Sequence, residues 1–275
     1  MSKQILVTGG NSGIGLEMVK AFAAAGHTVV VAARDTNKTG IALDAIRRAQ
    51  PGAQLHAVPL DLSRFDSIDT AAGEILELLP ALDTVMLNAG SYATSLRSTG
   101  KGLESMIGTM HFGHFRLMQL LLPRLQQAPR ARVVVTSSVA HWMGKLDETC
   151  MRDAKKYRSA TQAYGSAKLA NLVYARELAR RVEGTAIRVN AFHPGGVATG
   201  IWRELPGPLQ KIIDKVLITP AKGADTGIWL ALDAAADAFN GDYFVRRKKA
   251  ASLRLSRDPA AAAKLWSISE QIAGV

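Results

Sequence analysis

Residues 8–15 read TGGNSGIG, directly after the apolar run Ile5, Leu6, Val7 and directly before the helical stretch EMVKAFAAAG. A strand, a glycine turn and a helix in that order bring the unpaired N–H groups of the helix start to the strand end, where an anion can meet them. Glycines at such a turn let backbone and phosphate come close. The spacing here, through Gly9, Gly13 and Gly15, is G-x-x-x-G-x-G rather than G-x-G-x-x-G. By itself it fits either a phosphate cradle or a tight connection, and the rest of the chain has to decide.

Short apolar runs alternate with longer amphipathic stretches. ILVT (5–8), TVVVAA (28–33), LHAVPL (55–60), TVMLN (84–88), RVVVTS (132–137) and IRVNAF (187–192) are continuously apolar rather than alternating, as strands of a parallel sheet covered on both faces must be. Between them, helical patterns run over about 13–25, 36–49, 64–79, 102–127 and 160–183. The order predicts an α/β fold, a single doubly wound (Rossmann) parallel sheet with helices on both faces. No linker or low-complexity tract divides residues 1–275, so one domain is expected. HPGGVATG (193–200) opens an excursion at about 196–220, interrupted by Pro206 and Pro208. A helix near 221–236, a short strand at 243–245 and a last helix over 259–272 complete the pattern.

The 275 residues carry a formal net charge of +11, which raises nucleic acid or an acidic membrane as partners. Most Lys and Arg are scattered along helices. The one dense run, Arg246, Arg247, Lys248 and Lys249, lacks interleaved aromatics and reads as a basic surface loop. The first strand begins too soon for a secretory signal, and no stretch has the roughly 18 uncharged apolar residues of a membrane span. Cys150 is the single cysteine and cannot form an internal disulfide. These features predict a cytoplasmic protein, with no nucleic-acid partner and no metal.

Five motifs in sheet order decide the glycine question. TGGNSGIG is similar to the TGxxxGIG loop of the short-chain dehydrogenase/reductase family; Asn88, Ala89 and Gly90 match its NAG motif; Ser138 follows the fifth strand; YGSAK (164–168) matches YxxxK; and HPGGVAT (193–199) matches its PG-x-V-x-T segment. The chain resembles that family along nearly its whole length. GHF (113–115), SSVAH (137–141), SAKLAN (166–171) and LWSIS (265–269) resemble its retinol-dehydrogenase-like branch. The resemblance implies a dinucleotide site formed by Gly9, Asn11, Ser12, Gly13, Ile14, Gly15, Asp61, Leu62, Asn88, Ala89, Gly90, Tyr164, Lys168, Pro194, Gly195, Val197 and Thr199. Asp61 is placed to accept from the adenine amino group, and Val197 and Thr199 to meet the carboxamide.

Tyr164 and Lys168 stand four apart and share a helix face. A tyrosine that works near neutrality must ionise roughly three pH units below its usual ~10, which takes about 4 kcal/mol. A Lys cation ~5 Å away at an effective dielectric of ~20 supplies roughly 3 kcal/mol. By the family pattern Ser138, rather than its neighbour Ser137, holds the substrate oxygen, Tyr164 moves the proton and Lys168 also holds the nicotinamide ribose. His193, before Pro194, reads as structural. Nineteen residues after Gly15 stands Arg34, suited to a 2′-phosphate, which favours NADP(H) over NAD(H). Asp35 follows directly and would face the ribose if the strand ended one residue later. Tyr92, Trp142, Met143 and Trp202 are the expected pocket walls and suggest a lipophilic or bulky carbonyl or alcohol. The family also implies a homodimer or larger homo-oligomer through the Tyr164 helix and its successor.

The expected activity is therefore hydride transfer between NADP(H) and a carbonyl/alcohol pair; the rival is a cofactor-binding regulator of the same fold with little turnover. One departure favours the rival. The family's N-x-x-G-x-F, whose Asn anchors a relay water, here reads Met110, His111, Phe112, Gly113, His114, Phe115. A thioether accepts weakly and donates nothing, and His111 as a substitute would point about 100° away. Met110→Asn is expected to raise turnover; an unchanged or lower rate would show that the relay is not limiting.

Overall fold

In the computed structural model, which describes residues 2–196 and 218–275, successive residues of each central strand point to opposite faces of one sheet. Ile5 and Val7, Val29 and Val31, Met86 and Val134 enter one apolar core. Leu6, Val30, Val85, Leu87, Val133 and Val135 enter a second core on the other side. Two buried faces favour apolar residues at both phases of the period, which is why these runs are largely apolar; the buried Arg132 and Asn190 are exceptions with their own hydrogen-bond partners.

The strands are β1 (Gln4–Thr8), β2 (Thr28–Ala33), β3 (Leu55–Pro59), β4 (Thr84–Leu87), β5 (Ala131–Thr136), β6 (Ile187–His193), β7 (Tyr243–Val245) and β8 (Lys248–Lys249). Among the described residues they form an eight-stranded sheet in the order β3-β2-β1-β4-β5-β6-β7-β8. All pairings are parallel except β7 with β8. The chain runs outward from β1 through β2 to β3 and returns to the opposite side of β1 as β4. The reversal opens a crevice beyond the carboxyl ends of β1 and β4, where doubly wound sheets bind ligands.

Helices α1 (Gly13–Ala24) and α2 (Thr36–Ala49) cover one face, and α3 (Phe65–Leu78) the other. Where the pattern predicts one helix over 102–127, the chain has three pieces: α4 (Ser105–Ile107), a π-helical turn (Gly108–Gly113) and α5 (His114–Leu125). A wide turn inserts a residue without changing the apolar spacing enough to be read from sequence. Helix α6 (Glu148–Arg152) precedes α7 (Ala160–Arg181), and α8 (Pro220–Leu232) and α9 (Pro259–Ala273) follow β6 and β8. No helix among the described residues is long and apolar enough to cross a membrane.

Helix α7 is buried almost throughout, from Ala160 to Ala179. Leu172, Ala175 and Leu178 face the sheet. Ala163, Ala167, Ala170 and Val173 face a third layer that includes Met106, Met110, Leu265 and Ile268. Helix α9 closes this layer with Leu265 and Ile268 and is anchored in the second core by Trp266, which stacks on Tyr174 at 5.9 Å, meets Phe115 edge-on at 5.0 Å and carries the Arg181 guanidinium 4.0 Å from its ring centre. The chain's own carboxyl-terminal helix thus covers one face of α7.

The basic run 246–249 is not the expected loop but a hairpin. Arg246 and Arg247 both have positive φ, 51° and 60°, the conformation a two-residue hairpin turn demands. Arg247 pairs with Asp225, and Lys249 with Asp242 at 2.8 Å. Two of the four charges are therefore already met within the chain. Cys150 is buried, and its thiol donates to the Lys156 carbonyl at 3.3 Å. Trp266→Ala should cost about 3–5 kcal/mol in denaturant unfolding; a loss under about 1 kcal/mol would mean that α9 does not seal the third layer.

Candidate active site

The turn between β1 and α1 is built by close backbone approach. Gly9 and Gly13 have φ of +66° and +55°. A Cβ on Gly15 would lie 2.3 Å from the Gly9 carbonyl oxygen, and one on Gly9 would lie 2.9 Å from the Ala89 Cα. Ser12 caps α1 in extended conformation without a side-chain bond, and the first turn carries no acidic residue. The helix start therefore keeps free N–H groups and its positive dipole end toward the crevice, with Ile14 behind it against the core. These features fit a pyrophosphate.

Asn11 donates to the Thr39 hydroxyl at 3.0 Å and to the Asp35 carbonyl at 3.4 Å, tying the glycine loop to the start of α2. Asp35 does not face the crevice: its carboxylate caps α2, accepting from the Lys38 N–H at 2.9 Å. Arg34 beside it is exposed, and no ion pair engages it among the described residues. Asp61 accepts from the Ser63 N–H and hydroxyl at 3.0 and 2.7 Å, which shapes the turn after β3, and Leu62 is buried. Gly113 in the π-helical turn lies against it; a Cβ there would stand 2.2 Å from the Leu62 carbonyl oxygen.

At β4, Asn88 braces the crevice rather than lying open to it. Its amide donates to the Thr8 carbonyl at 3.0 Å, and the N–H groups of Asn88 and Ala89 donate to the Thr8 hydroxyl at 2.9 and 3.0 Å. At Gly90 a Cβ would lie 2.9 Å from the Met110 sulfur and 3.4 Å from Lys168 Nζ, so a side chain there would press on both.

The two serines after β5 separate cleanly. Ser137 is buried and donates to the Lys168 carbonyl at 2.8 Å, fastening β5 to α7. Ser138 begins the 3₁₀ turn Val139–Met143 and accepts from the Ala140 N–H at 3.2 Å. Its hydroxyl faces Tyr164. The turn sits close on α7 because glycines meet there: a Cβ on Gly165 would lie 2.6 Å from the Ala140 carbonyl oxygen, and one on Gly144 2.4 Å from that of Gly165. The buried His141 ring holds the turn from behind, bonding to the Ser138 carbonyl at 2.7 Å and accepting from the Leu253 N–H at 3.2 Å.

Tyr164 is flanked by Tyr92, 5.5 Å away edge-on, and Lys168 Nζ lies 5.6 Å from its ring centre. The Tyr92 hydroxyl in turn bonds to Thr161 at 3.0 Å. Burial pushes the Tyr164 phenol up to about 12, against which hydrogen bonding to Ser138 works. Burial acts on the neighbouring Lys168 as well, lowering it to about 8. Lys168 Nζ donates to the Thr136 carbonyl at 3.2 Å. The phenol thus holds its proton firmly, and it suits donation to an oxygen bound beside Ser138.

Trp142 and Met143, in the turn that begins at Ser138, are each 52% exposed, and Tyr92 is half-buried beside Tyr164. Pro194 and Gly195 follow β6, and Gly195 has φ +93° with its missing Cβ against Ile218. Val197, Thr199 and Trp202, with most of the 196–220 excursion, fall outside the described residues. His193 ends β6 opposite Val245, and burial first, then His141 and Lys168, lower it to about 4. His111 is not turned to Lys168: it bonds Ser269 of α9 at 2.8 Å. Two participants lie within quoted motifs, GHF and SAKLAN, that assign them no role. His114 is buried, lowered by burial to about 4, and bridges the Met110 carbonyl at 2.9 Å and the Thr8 hydroxyl at 2.9 Å. Asn171, the last residue of SAKLAN, lies one turn beyond Lys168.

A family model for short chain dehydrogenases matches residues 3–208. The chain belongs to that family. Retinol dehydrogenase 12 of Mus musculus is 36% identical over 275 residues, spanning 99% of this chain and 87% of that one. Dehydrogenase/reductase SDR family member 13 of Bos taurus is 34% identical, with 98% and 73% covered. Among solved structures, an uncharacterized protein from Mycobacterium paratuberculosis superposes with a TM-score of 0.78 at 31% identity, covering 99% of this chain and 94% of that one. A short chain dehydrogenase from Shigella flexneri, complexed with NADP, gives 0.69 at 25% identity, with 90% and 97% covered. This short chain dehydrogenase is accordingly an oxidoreductase dependent on a nicotinamide cofactor, of the retinol-dehydrogenase-like branch.

The buried lysine has a measurable cost. Its folded pKa of about 8 lies below the usual 10.5, so its charge destabilises the native state below pH ~8, and the penalty fades between ~8 and ~10.5 as the side chain deprotonates. Lys168→Met should therefore unfold at higher denaturant concentration than wild type at pH 7, by up to about 3 kcal/mol, with the gap closing toward pH ~10.5. A variant less stable than wild type at pH 7 would contradict this.

Proposed function

We propose that the protein uses NADP(H) to interconvert a carbonyl and an alcohol on a lipophilic or bulky small molecule, with Tyr164 as general acid/base. The convergence of Ser138, Tyr164 and Lys168 beside the glycine cradle, at the carboxyl end of the sheet, carries this reading. The nicotinamide, when bound, supplies or accepts the hydride. In the reducing direction Ser138 holds the substrate oxygen, Tyr164 gives its proton to that oxygen, and Lys168 holds the ribose and restrains the phenol.

Cofactor choice follows from the turn after β2. Asp35, the residue that would select a free ribose 2′-hydroxyl, is committed to capping α2. Arg34 is exposed beside it, and solved relatives from Shigella flexneri and Escherichia coli, each 25% identical, are complexed with NADP and NADPH. The half-exposed Trp142 and Met143, with Tyr92, favour an apolar substrate, in keeping with relatives named for retinol. The same reading takes the protein to be cytoplasmic and a homo-oligomer.

NADPH oxidation followed by absorbance across hydrophobic aldehydes and ketones tests this, with NADH in parallel. Tyr164→Phe should abolish turnover, and Arg34→Ala should erase a roughly ten- to hundredfold preference for NADPH. Turnover that survives in Tyr164→Phe would refute the assignment. Tight NADPH binding with no turnover on any substrate would favour the regulator, for which Met110 is the supporting feature.

A further inference from the structure

Helix α7 buries a second polar side chain beside the lysine. Asn171, 3% exposed, lies three residues beyond Lys168 on the same face. One end of its amide lies 2.8 Å from the Met110 carbonyl oxygen and 3.2 Å from that of Ala167. Two carbonyl oxygens at that range require the NH₂ group there, since a third oxygen would meet them without a proton. The other end, 3.3 Å from the Thr136 carbonyl oxygen, is then Oδ1. Two oxygens so close need a donor between them. Lys168 Nζ, 3.2 Å from the same Thr136 oxygen, brings three N–H bonds to that place.

We propose that Asn171 is a positioning residue that holds the Lys168 ammonium, its Oδ1 accepting from Nζ while its NH₂ is pinned by the carbonyls of Met110 and Ala167. The role rests on the proposed function of Lys168. It also explains the π-helical turn: the Met110 carbonyl is turned inward, where it accepts from both Asn171 and His114 Nδ1. With Nδ1 donating, His114 Nε2 accepts from Thr8, so the glycine loop, the wide turn and the lysine are joined through buried groups. The titratable groups around Lys168 are Tyr164 on its own helix, His114 on α5 and His193 on β6; none brings a negative charge. Neutral acceptors alone keep the lysine charged.

Asn171→Leu, close in size and without an acceptor, tests this. NADPH affinity, read by protein fluorescence without turnover, should fall in wild type as Lys168 loses its proton, with a midpoint near pH 8. In Asn171→Leu the midpoint should move down by about one to two pH units, the worth of one hydrogen bond to a charged group. An unmoved midpoint in a folded variant overturns the proposal. Neutron diffraction of the wild type decides independently of any variant's folding. Deuterons on the amide end facing Met110 support the assignment, and deuterons on the end facing Thr136 overturn it. Neither readout depends on a carbonyl substrate, so failure of the proposed activity would show separately, as NADPH binding with intact titration but no turnover.

Discussion

The enclosure of α7 is the constraint on which the site depends. A helix placed against the sheet on one side and under a third layer on the other has little water along its length. Most polar groups it carries find a partner inside the chain, the buried Tyr174 hydroxyl being an exception. The Lys168 carbonyl takes the Ser137 hydroxyl, Nζ takes the Thr136 carbonyl, and Asn171 reaches across to the π-helical turn. A flexible lysine thereby acquires a single direction. Its charge is costly in that environment, a pattern common where function opposes stability.

Close packing then sets the distances between elements that come from far apart in sequence. The glycine loop can approach β4 because Gly9 and Gly15 lack a Cβ, and the Ser138 turn can approach α7 because Gly144 and Gly165 lack one. Replacing any of these contacts with a side chain would open the crevice by the width of that atom. His114 and His141 serve the same end by bonding at both ring nitrogens, which burial keeps neutral: one ties the loop at Thr8 to the wide turn, the other ties the Ser138 turn to the segment after β8.

Strands and long helices were legible because each reports its own burial. The runs of Val29 to Ala33 and Val133 to Val135 are apolar at both phases, and the structure buries both phases. What was not legible depends on partners remote in sequence. The wide turn at Gly108–Gly113 leaves the apolar spacing nearly intact, so it hides within a helical pattern. The basic run at 246–249 looks like a solvated loop until Asp225 and Asp242 arrive to meet two of its charges. Burial raises the Tyr164 phenol and lowers Lys168, an effect that their spacing in the sequence does not report.

Local chemistry in the sequence determined the strand–turn–helix order, the glycine cradle and the identity of the residues brought to the carboxyl end of the sheet, because periodicity and the conformational freedom of glycine act over a few residues. Tertiary structure alone decided that Ser137 is spent on the Lys168 carbonyl, that Asp35 is taken up in capping α2, and that α9 covers α7. Each of those outcomes turns on which groups burial brings within bonding distance, and a linear pattern carries no such distance.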